Sequence, residues 1–192
     1  DPVLCELAYK WWSPAGGAVL DPFAGGSVRG IVAAALGRSY TGVDLREEQV
    51  AANYVQLEEI GKRTPISGMV EWHAGDSGEV LKDSEPEQFD FLFTCPPYGN
   101  LEVYSEMPED ISNMPYDDFI VRLNEILYFA CRMLKQDSFA AIVIGNFRDK
   151  KTGFYNDFVG DTVAIFRAAG LGYYNEAVLV TAVGSLPIRI SG

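Results

Sequence analysis

The stretch from residue 18 to residue 37 constrains the fold of this chain more than any other. An apolar run, Ala18–Leu20, leads into a segment with two glycines, 21–27, and then into an alanine-rich stretch, Val28–Leu36, that ends before Gly37. This order is strand, tight turn and helix, the opening unit of a nucleotide-binding α/β sheet. We therefore predict an α/β fold with a mostly parallel sheet and helices on both faces.

Two common phosphate-binding loops do not fit this turn. If a dinucleotide fingerprint is aligned so that it starts at Gly25, its third position requires glycine, but the chain has Ser27 there. Gly30 fits the sixth position. A P-loop requires lysine after its last glycine, and Ile31 follows Gly30. The turn is therefore interpreted as a close approach of the backbone to a small ligand whose carboxylate can face the helix N-terminus.

A second motif follows the run Phe89–Phe93, whose apolar and aromatic residues predict a buried strand. In the motif Thr94–Tyr98, Pro96 and Pro97 remove two backbone donors and fix two φ angles, so the nearby carbonyls point out of the sheet. Such acceptors beside Tyr98 suit a flat ring that carries an amino group. The alternative interpretation is a proline-terminated strand with a packing tyrosine.

Together the two motifs resemble those of the amino-group DNA methyltransferases, which methylate adenine N6 or cytosine N4 with S-adenosylmethionine. The resemblance implies a Rossmann-like class I methyltransferase fold, S-adenosylmethionine as cofactor and DNA as partner. The runs 101–105 and 184–189 are similar more narrowly to phage and prophage members. The cofactor motif is matched by Asp21, Pro22, Phe23, Ala24, Gly25, Gly26 and Ser27, and the catalytic motif by Cys95, Pro96, Pro97 and Tyr98.

Two further acids are candidate cofactor contacts. Asp44 ends the predicted second strand 23 residues after Asp21, close to the spacing at which such sheets place an acid on the ribose hydroxyls. Asp76 and Ser77 follow the predicted third strand, Met69–His73. In the resembling family the acid at this place holds the adenine amino group. Each aspartate has a helix-capping role as its alternative.

Cys95 departs from the family pattern, in which Asp, Asn or Ser precedes the two prolines. The resemblance implies direct attack by the amino nitrogen of a base that is flipped out and stacked against Tyr98. A thiol accepts hydrogen bonds poorly, which weakens assistance to that amino group. An alternative makes Cys95 a covalent nucleophile, as in enzymes that methylate cytosine at carbon, but those enzymes place the cysteine after the prolines.

The formal net charge of −12 conflicts with nucleic-acid binding, which depends on clustered Lys and Arg. One basic cluster, Arg148, Lys150 and Lys151, follows the predicted fifth strand Phe139–Gly145, where open α/β sheets carry their sites. We assign this cluster, together with Arg189, as candidate substrate contacts. A solvated turn is the alternative for the cluster.

The remaining pattern alternates helices with strands, as parallel pairing requires. The acidic segment 99–115 lacks periodicity and is interpreted as a mobile loop over the site, with a disordered surface loop as the alternative. The resembling fold ends in an antiparallel strand that the pattern of this chain does not predict, so we expect either a trimmed chain or an incomplete sheet. Helices are predicted at Asp1–Trp12, Val28–Leu36, Arg46–Ile60, Tyr116–Lys135 and Phe158–Ala169, and a sixth strand at Glu176–Thr181.

With 192 residues, 48% of them hydrophobic, the chain is predicted to form one methyltransferase domain, 1–192, trimmed at both ends. No apolar run is long enough to span a bilayer, so we expect a cytoplasmic protein, bacterial or phage-encoded. Three separated cysteines and one histidine, His73, predict neither disulfides nor a metal site.

Two other functions remain open at this stage. One is an amino-group methyltransferase that acts on RNA or a free nucleotide, because the motifs describe a ring with an amine and not a polymer. The other is a non-catalytic cofactor-binding subunit of a restriction-modification system. In either case, and for the DNA methyltransferase as well, a homodimer or a fused or partner domain could supply target recognition.

Overall fold

The computed structural model describes residues 1–99 and 103–180, and the elements below are those of this part of the chain. A 3-10 turn at Ile111–Asn113 precedes the longest helix. In chain order the elements are α1 Pro2–Trp12, β1 Ala18–Asp21, α2 Val28–Ala35, β2 Ser39–Asp44, α3 Glu47–Gly61, β3 Val70–Ala74, α4 Ser77–Leu81, β4 Phe89–Thr94, α5 Tyr116–Arg132, β5 Leu134–Ile142, β6 Phe147–Arg148, β7 Tyr155–Asn156 and α6 Phe158–Ala168.

The main sheet has five parallel strands in the order β3-β2-β1-β4-β5. After β1 the chain builds outward through β2 and β3, and then returns to place β4 on the other side of β1. This reversal creates a switch point at the carboxyl ends of β1 and β4, where ligands bind in open α/β sheets. The predicted α/β fold with a parallel sheet is confirmed.

Helices cover both faces of the sheet, as predicted. Neighbouring residues of β1 point to opposite faces: Val19 packs in the cluster with α1 and α2, whereas Leu20 packs in the cluster with α4 and α5. A third cluster joins α5, α6 and the 3-10 turn at the carboxyl end of the sheet. The site is therefore framed by the third cluster on one side and by the turn after β1 on the other.

The fifth strand begins earlier than predicted. The sequence pattern placed it at Phe139–Gly145 and extended the preceding helix to Lys135, but α5 ends at Arg132 and β5 spans Leu134–Ile142. The pairing with β4 shifts register inside β5, where Asp137 has a φ of 58°. A bulge therefore interrupts the strand, and the polar residues 135–138 beside it lack the apolar pattern by which the strand was predicted.

The sixth strand predicted at Glu176–Thr181 is wrong for residues 176–180, which form no strand, and Thr181 lies outside the described residues. Val178 and Val180 are 84% and 86% exposed. Valine favours strands because it packs on a half-buried pleated surface, and these residues have no such surface in the part of the chain described. Instead, an antiparallel hairpin of β6 and β7 lies between β5 and α6.

Candidate active site

Backbone groups of the turn after β1 form hydrogen bonds that hold the turn against β2 and α3. The Gly25 amide donates to the Asp44 carboxylate at 2.9 Å, and the Gly25 carbonyl accepts from the Asn53 side chain at 2.7 Å. The Ala24 amide donates to the Val43 carbonyl at 2.9 Å. Gly25 has a φ of 51°, the left-handed region that favours glycine. The turn is thus a rigid backbone surface at the switch point.

Asp21 lies beneath this turn and is fully buried. Its carboxylate accepts hydrogen bonds from the Tyr40 hydroxyl at 2.7 Å, the Thr94 hydroxyl at 2.6 Å and the Phe23 amide at 3.1 Å. It also pairs with Arg29. All these partners belong to the protein, so Asp21 ties β1, β2, β4 and α2 together below the site.

Arg29 completes this network from the first turns of α2. Its guanidinium donates to the carbonyls of Phe23 and Ala24, in addition to its pair with Asp21. Burial alone would lower the pKa of Arg29, but the adjacent Asp21 carboxylate raises it above the ordinary value. Arg29 therefore stays charged and fixes the two carbonyls of the turn.

A cavity of about 350 Å³ opens above the turn, a size within the range of small-ligand sites. Its walls come from the carboxyl ends of β1, β2 and β4, from the start of α4 and from the segment before α5. Nine of the predicted site residues line it: Pro22, Phe23, Gly25, Gly26, Asp44, Asp76, Ser77, Cys95 and Pro97.

Asp44 stands in the wall of this small cavity with both carboxylate oxygens oriented. One oxygen accepts from the Gly25 amide and the other from the Arg46 amide at 3.0 Å. Arg46, not Asp44, is the N-cap residue of α3, so the capping alternative does not hold in its simple form. Each oxygen can accept a second hydrogen bond, which leaves capacity for hydroxyl groups of a ligand.

Asp76 has the capping role that was its alternative interpretation, and its predicted contact to the cofactor stays a prediction. It is the N-cap of α4, where its carboxylate accepts from the Glu79 amide at 2.9 Å, and it also lines the small cavity. Arg122 of α5 forms an ion pair with the same carboxylate oxygen, Oδ1. The adjacent Ser77 hydroxyl donates to the Pro22 carbonyl, which ties α4 to the turn.

A larger cleft of about 1560 Å³ lies on the other side of the catalytic motif. Pro96 and Tyr98 line it, and Tyr98 is held edge-on against Phe147 and Phe158, with ring centroids at 6.3 and 5.9 Å. The cleft and the small cavity have four lining residues in common, which are Gly26, Arg29, Cys95 and Tyr104. The motif Cys95–Tyr98, which was predicted to be catalytic, therefore stands at the boundary between the two spaces.

Several predicted residues lie away from both spaces. Asp21, Ala24 and Ser27 line neither, and the Ser27 hydroxyl donates to Gln56 of α3. These three residues shape the turn from below. Arg148, Lys150 and Lys151 belong to the hairpin of β6 and β7 and do not line the two spaces either. The prediction for Arg189 lies outside the described residues.

Part of the acidic segment predicted as a loop over the site forms one wall of the small cavity, through Tyr104, Ser105 and Glu109 with their neighbours. Asp110 is buried and caps the 3-10 turn, accepting from the Ser112 amide at 2.9 Å and from the Ser105 hydroxyl at 2.9 Å. The described part of this segment is therefore folded against the site.

Among the residues of the site that the sequence analysis did not assign to it are Arg29, Arg122 and Tyr104. Arg29 had a detectable signal, because it is a charged residue in an apolar helix directly after the turn. Arg122 had none, because its partner Asp76 is 46 residues away in sequence. Within residues 1–99 and 103–180, no group of three or more His, Cys, Asp or Glu side chains is placed to hold a metal ion. No helix in the same part of the chain is long and apolar enough to cross a membrane.

No protein-family model and no curated protein matches this chain. Solved structures do match. A protein assigned as an rRNA methylase from Clostridium thermocellum has a TM-score of 0.59 at 15% identity, covering 86% of this chain and 80% of its own. A TehB-like SAM-dependent methyltransferase from Corynebacterium glutamicum has a TM-score of 0.52 at 19% identity, covering 84% and 71%.

The YcgJ protein from Bacillus subtilis has a TM-score of 0.59 at 16% identity, covering 90% of this chain and 68% of its own. At these identities the similarity concerns the fold. Together with the strand order of the sheet, it assigns the chain to the Rossmann-like fold of the class I methyltransferases.

Proposed function

We propose that this chain is an S-adenosylmethionine-dependent methyltransferase that acts on the exocyclic amino group of cytosine or adenine in DNA. The observation that carries the proposal is the pair of spaces that meet at the catalytic motif. The small cavity suits the cofactor, the larger cleft admits a flipped base, and Cys95 belongs to the walls of both. A donor and an acceptor of a methyl group need to meet in this way.

The residues of the small cavity fit the cofactor chemically. The Asp44 carboxylate can accept hydrogen bonds from the ribose hydroxyls, and the Asp76 carboxylate can accept them from the adenine amino group. The rigid turn at Gly25 and Gly26 allows a close approach of backbone to the amino-acid part. When bound, S-adenosylmethionine supplies a methyl group activated by a sulfonium.

The protein's own contribution is to bind and orient the amino nitrogen of the base. The Pro96 carbonyl, and more weakly Cys95, would accept the amino hydrogens, which favours a pyramidal nitrogen with its lone pair available. These contacts accelerate transfer only where they bind that geometry better than the planar amine. Tyr98, held by Phe147 and Phe158, would stack on the ring and keep it in place.

The test is transfer of an isotopically labelled methyl group to unmethylated DNA and to RNA, with mass spectrometry of the digested nucleosides. Label on cytosine N4 or adenine N6 of DNA is the expected result. Label on RNA alone would contradict the choice of polymer, and label on cytosine carbon 5 would contradict the amino-group chemistry. Binding of S-adenosylhomocysteine without any transfer would favour a supporting subunit.

Tyr98→Ala provides the internal control. The variant should bind S-adenosylhomocysteine normally, because Tyr98 lines only the larger cleft, and it should lose most methyl transfer. Tyr128→Ala, an exposed tyrosine of α5, is the matched change and should leave transfer unaltered.

Cys95→Ser separates direct displacement from covalent catalysis. A hydroxyl accepts hydrogen bonds better than a thiol, so transfer should be preserved or raised if the amino-group mechanism operates. Abolished transfer in a variant that still folds and binds S-adenosylhomocysteine would instead identify Cys95 as a nucleophile.

A further inference from the structure

The hairpin formed by residues 147–156, here called the basic hairpin, differs in charge from the rest of the molecule. It carries Arg148, Lys150 and Lys151 against a single acid, Asp149, whereas the whole chain has a formal net charge of −12. Its two strands pair antiparallel, with Phe147 opposite Asn156 and Arg148 opposite Tyr155. The basic hairpin is therefore a local cationic projection on an acidic protein.

The tip of the basic hairpin has a defined structure. The Asp149 amide donates to the Phe154 carbonyl and the Gly153 amide donates back to the Asp149 carbonyl, both at 2.9 Å. The Asp149 carboxylate accepts from the Lys151 amide at 3.0 Å and from the Thr152 amide at 2.6 Å. These backbone hydrogen bonds, led by that from Thr152, lower the pKa of Asp149 and show that the turn is ordered around it.

Arg148 braces one side of the tip. Its guanidinium lies over the Tyr155 ring, 4.2 Å from the centroid, and donates to the Gly153 carbonyl at 2.8 Å. Phe154, in contrast, is 77% exposed at the end of this ordered structure. An exposed aromatic side chain on an ordered, positively charged hairpin suits a ligand with flat rings that can stack and with negatively charged groups between them.

The base of the basic hairpin is anchored directly at the catalytic motif. Phe147 is buried and contacts Tyr98, Tyr116 and Phe158, with ring centroids at 6.3, 5.8 and 5.7 Å. A Cβ atom at Gly99 would lie 3.2 Å from the Phe147 ring, so the backbone after Tyr98 approaches it closely. The hairpin is thereby held at a fixed place beside the residue that would receive the base.

We propose that the basic hairpin engages duplex DNA next to the target base. Phe154 inserts beside the base that remains stacked when its neighbour is flipped, Lys150 and Lys151 contact the adjacent phosphates, and the Arg148–Tyr155 pair supports the tip. The choice of DNA rests on the proposed function. The assignment of Phe154 as the inserting residue rests only on the structure of the basic hairpin.

The test measures affinity rather than methylation, by fluorescence anisotropy of a labelled unmethylated duplex with S-adenosylhomocysteine present and a series of salt concentrations. Phe154→Ala should weaken binding about tenfold or more, because one stacked base is lost, with the salt slope unchanged. Tyr128→Ala, which removes an aromatic side chain that is 51% exposed on α5, should leave the affinity unaltered. Equal affinity of Phe154→Ala and wild type would overturn the proposal.

The lysines are tested separately through the salt dependence of binding. The double change Lys150→Gln and Lys151→Gln should reduce the slope of log affinity against log salt by about 2, since each phosphate contact contributes roughly one unit. The matched double change Lys62→Gln and Arg63→Gln, at the end of α3, should leave the slope unchanged. An equal reduction in both would show that the slope reports overall charge and not this hairpin.

The outcomes distinguish the two proposals. If the protein methylates DNA but Phe154→Ala alters neither affinity nor transfer, the basic hairpin has no such role while the proposed function stands. If no DNA is methylated and Phe154→Ala still loses affinity for the duplex, the hairpin proposal stands without the proposed function. Tighter binding of RNA than of duplex DNA by the wild type would overturn DNA as the partner.

Discussion

At the scale of single residues, the acids of the site fall into two classes that the sequence does not separate. Asp21 and Asp44 end β1 and β2, and Asp76 follows β3, so their positions at one edge of the sheet could be predicted. Asp21 is buried with four protein partners, whereas Asp44 and Asp76 line a cavity. Which acid is saturated by protein donors depends on distant residues such as Thr94, and spacing alone does not show that.

Arg122 gives a prediction at this scale about cofactor selectivity. It pairs with the Asp76 oxygen that also caps α4, and we expect this pair to fix the carboxylate so that its other oxygen can accept a hydrogen bond from the proposed cofactor. We expect Arg122→Gln to bind S-adenosylhomocysteine about tenfold more weakly, the loss of one charge-assisted hydrogen bond that positions Asp76. The same change should weaken binding of the analogue with hypoxanthine in place of adenine much less, because hypoxanthine lacks the amino group from which Asp76 would accept a hydrogen bond.

Calorimetry with both ligands provides the measurement. Arg132→Gln, at the far end of α5, is the matched control because its side chain donates to the Lys82 and Ser84 carbonyls away from the cavity. An equal loss for adenine and hypoxanthine ligands would show that Arg122 supports the fold of the site without orienting Asp76.

The three cysteines should differ in reactivity. Burial raises the pKa of Cys131 to about 12, and burial also raises the pKa of Cys5. Both thiols line the larger cleft but are buried and stay protonated at mildly alkaline pH, whereas Cys95 is only half-buried and lines both the cleft and the small cavity. Iodoacetamide should modify Cys95 first and the other two only after unfolding, as read by peptide mass spectrometry, and S-adenosylhomocysteine should slow the modification. Early modification of Cys131 would contradict this burial.

At the scale of elements, the first strand, turn and helix were predictable because local pattern and tertiary role agree there. Gly30 matches only the last glycine of a dinucleotide fingerprint, yet it has the packing role of that glycine. A Cβ atom at Gly30 would lie 2.7 Å from the Trp72 ring and 3.0 Å from the Tyr40 ring. The glycine therefore allows α2 to lie close to the sheet.

Elements near the carboxyl end of the chain were less predictable. The bulge in β5 depends on its pairing with β4, and the valine-rich residues 176–180 show that strand propensity without a neighbouring strand does not suffice. The short strands of the basic hairpin have two residues each, too few for any period to be visible in sequence.

Gly30→Ala is expected to destabilise the protein by about 1–2 kcal/mol. Overpacking costs roughly 1–3 kcal/mol, and the better helix propensity of alanine offsets up to about 1 kcal/mol of it. Gly61→Ala is the matched control, since Gly61 is also helical and its Cβ would meet nothing within 4 Å. Urea unfolding of both variants gives the two free energies, and equal values would mean that α2 does not pack as closely as described.

At the scale of the whole molecule, charge is the dominant feature. A formal net charge of −12 on 192 residues destabilises the folded state through self-repulsion, which added salt screens. Moderate salt should therefore raise the melting temperature by about 2–4 °C, the change that ~1 kcal/mol produces in a chain of this size. A thermal scan across salt concentrations measures it. A fall in melting temperature would show that the ion pairs, such as Arg29–Asp21 and Arg122–Asp76, outweigh the repulsion.

The basic hairpin has a consequence for how a protein of this kind can diversify. It joins the aromatic cluster through Phe147, and the hydrogen bonds that Arg148 and Asp149 make at its tip stay within residues 148–154. Residues 148–156 can therefore be exchanged for a hairpin of different length or charge without rebuilding the core. Under the proposed function, a graft confined to these nine positions is expected to change the affinity for nucleic acid and to leave binding of S-adenosylhomocysteine unaltered.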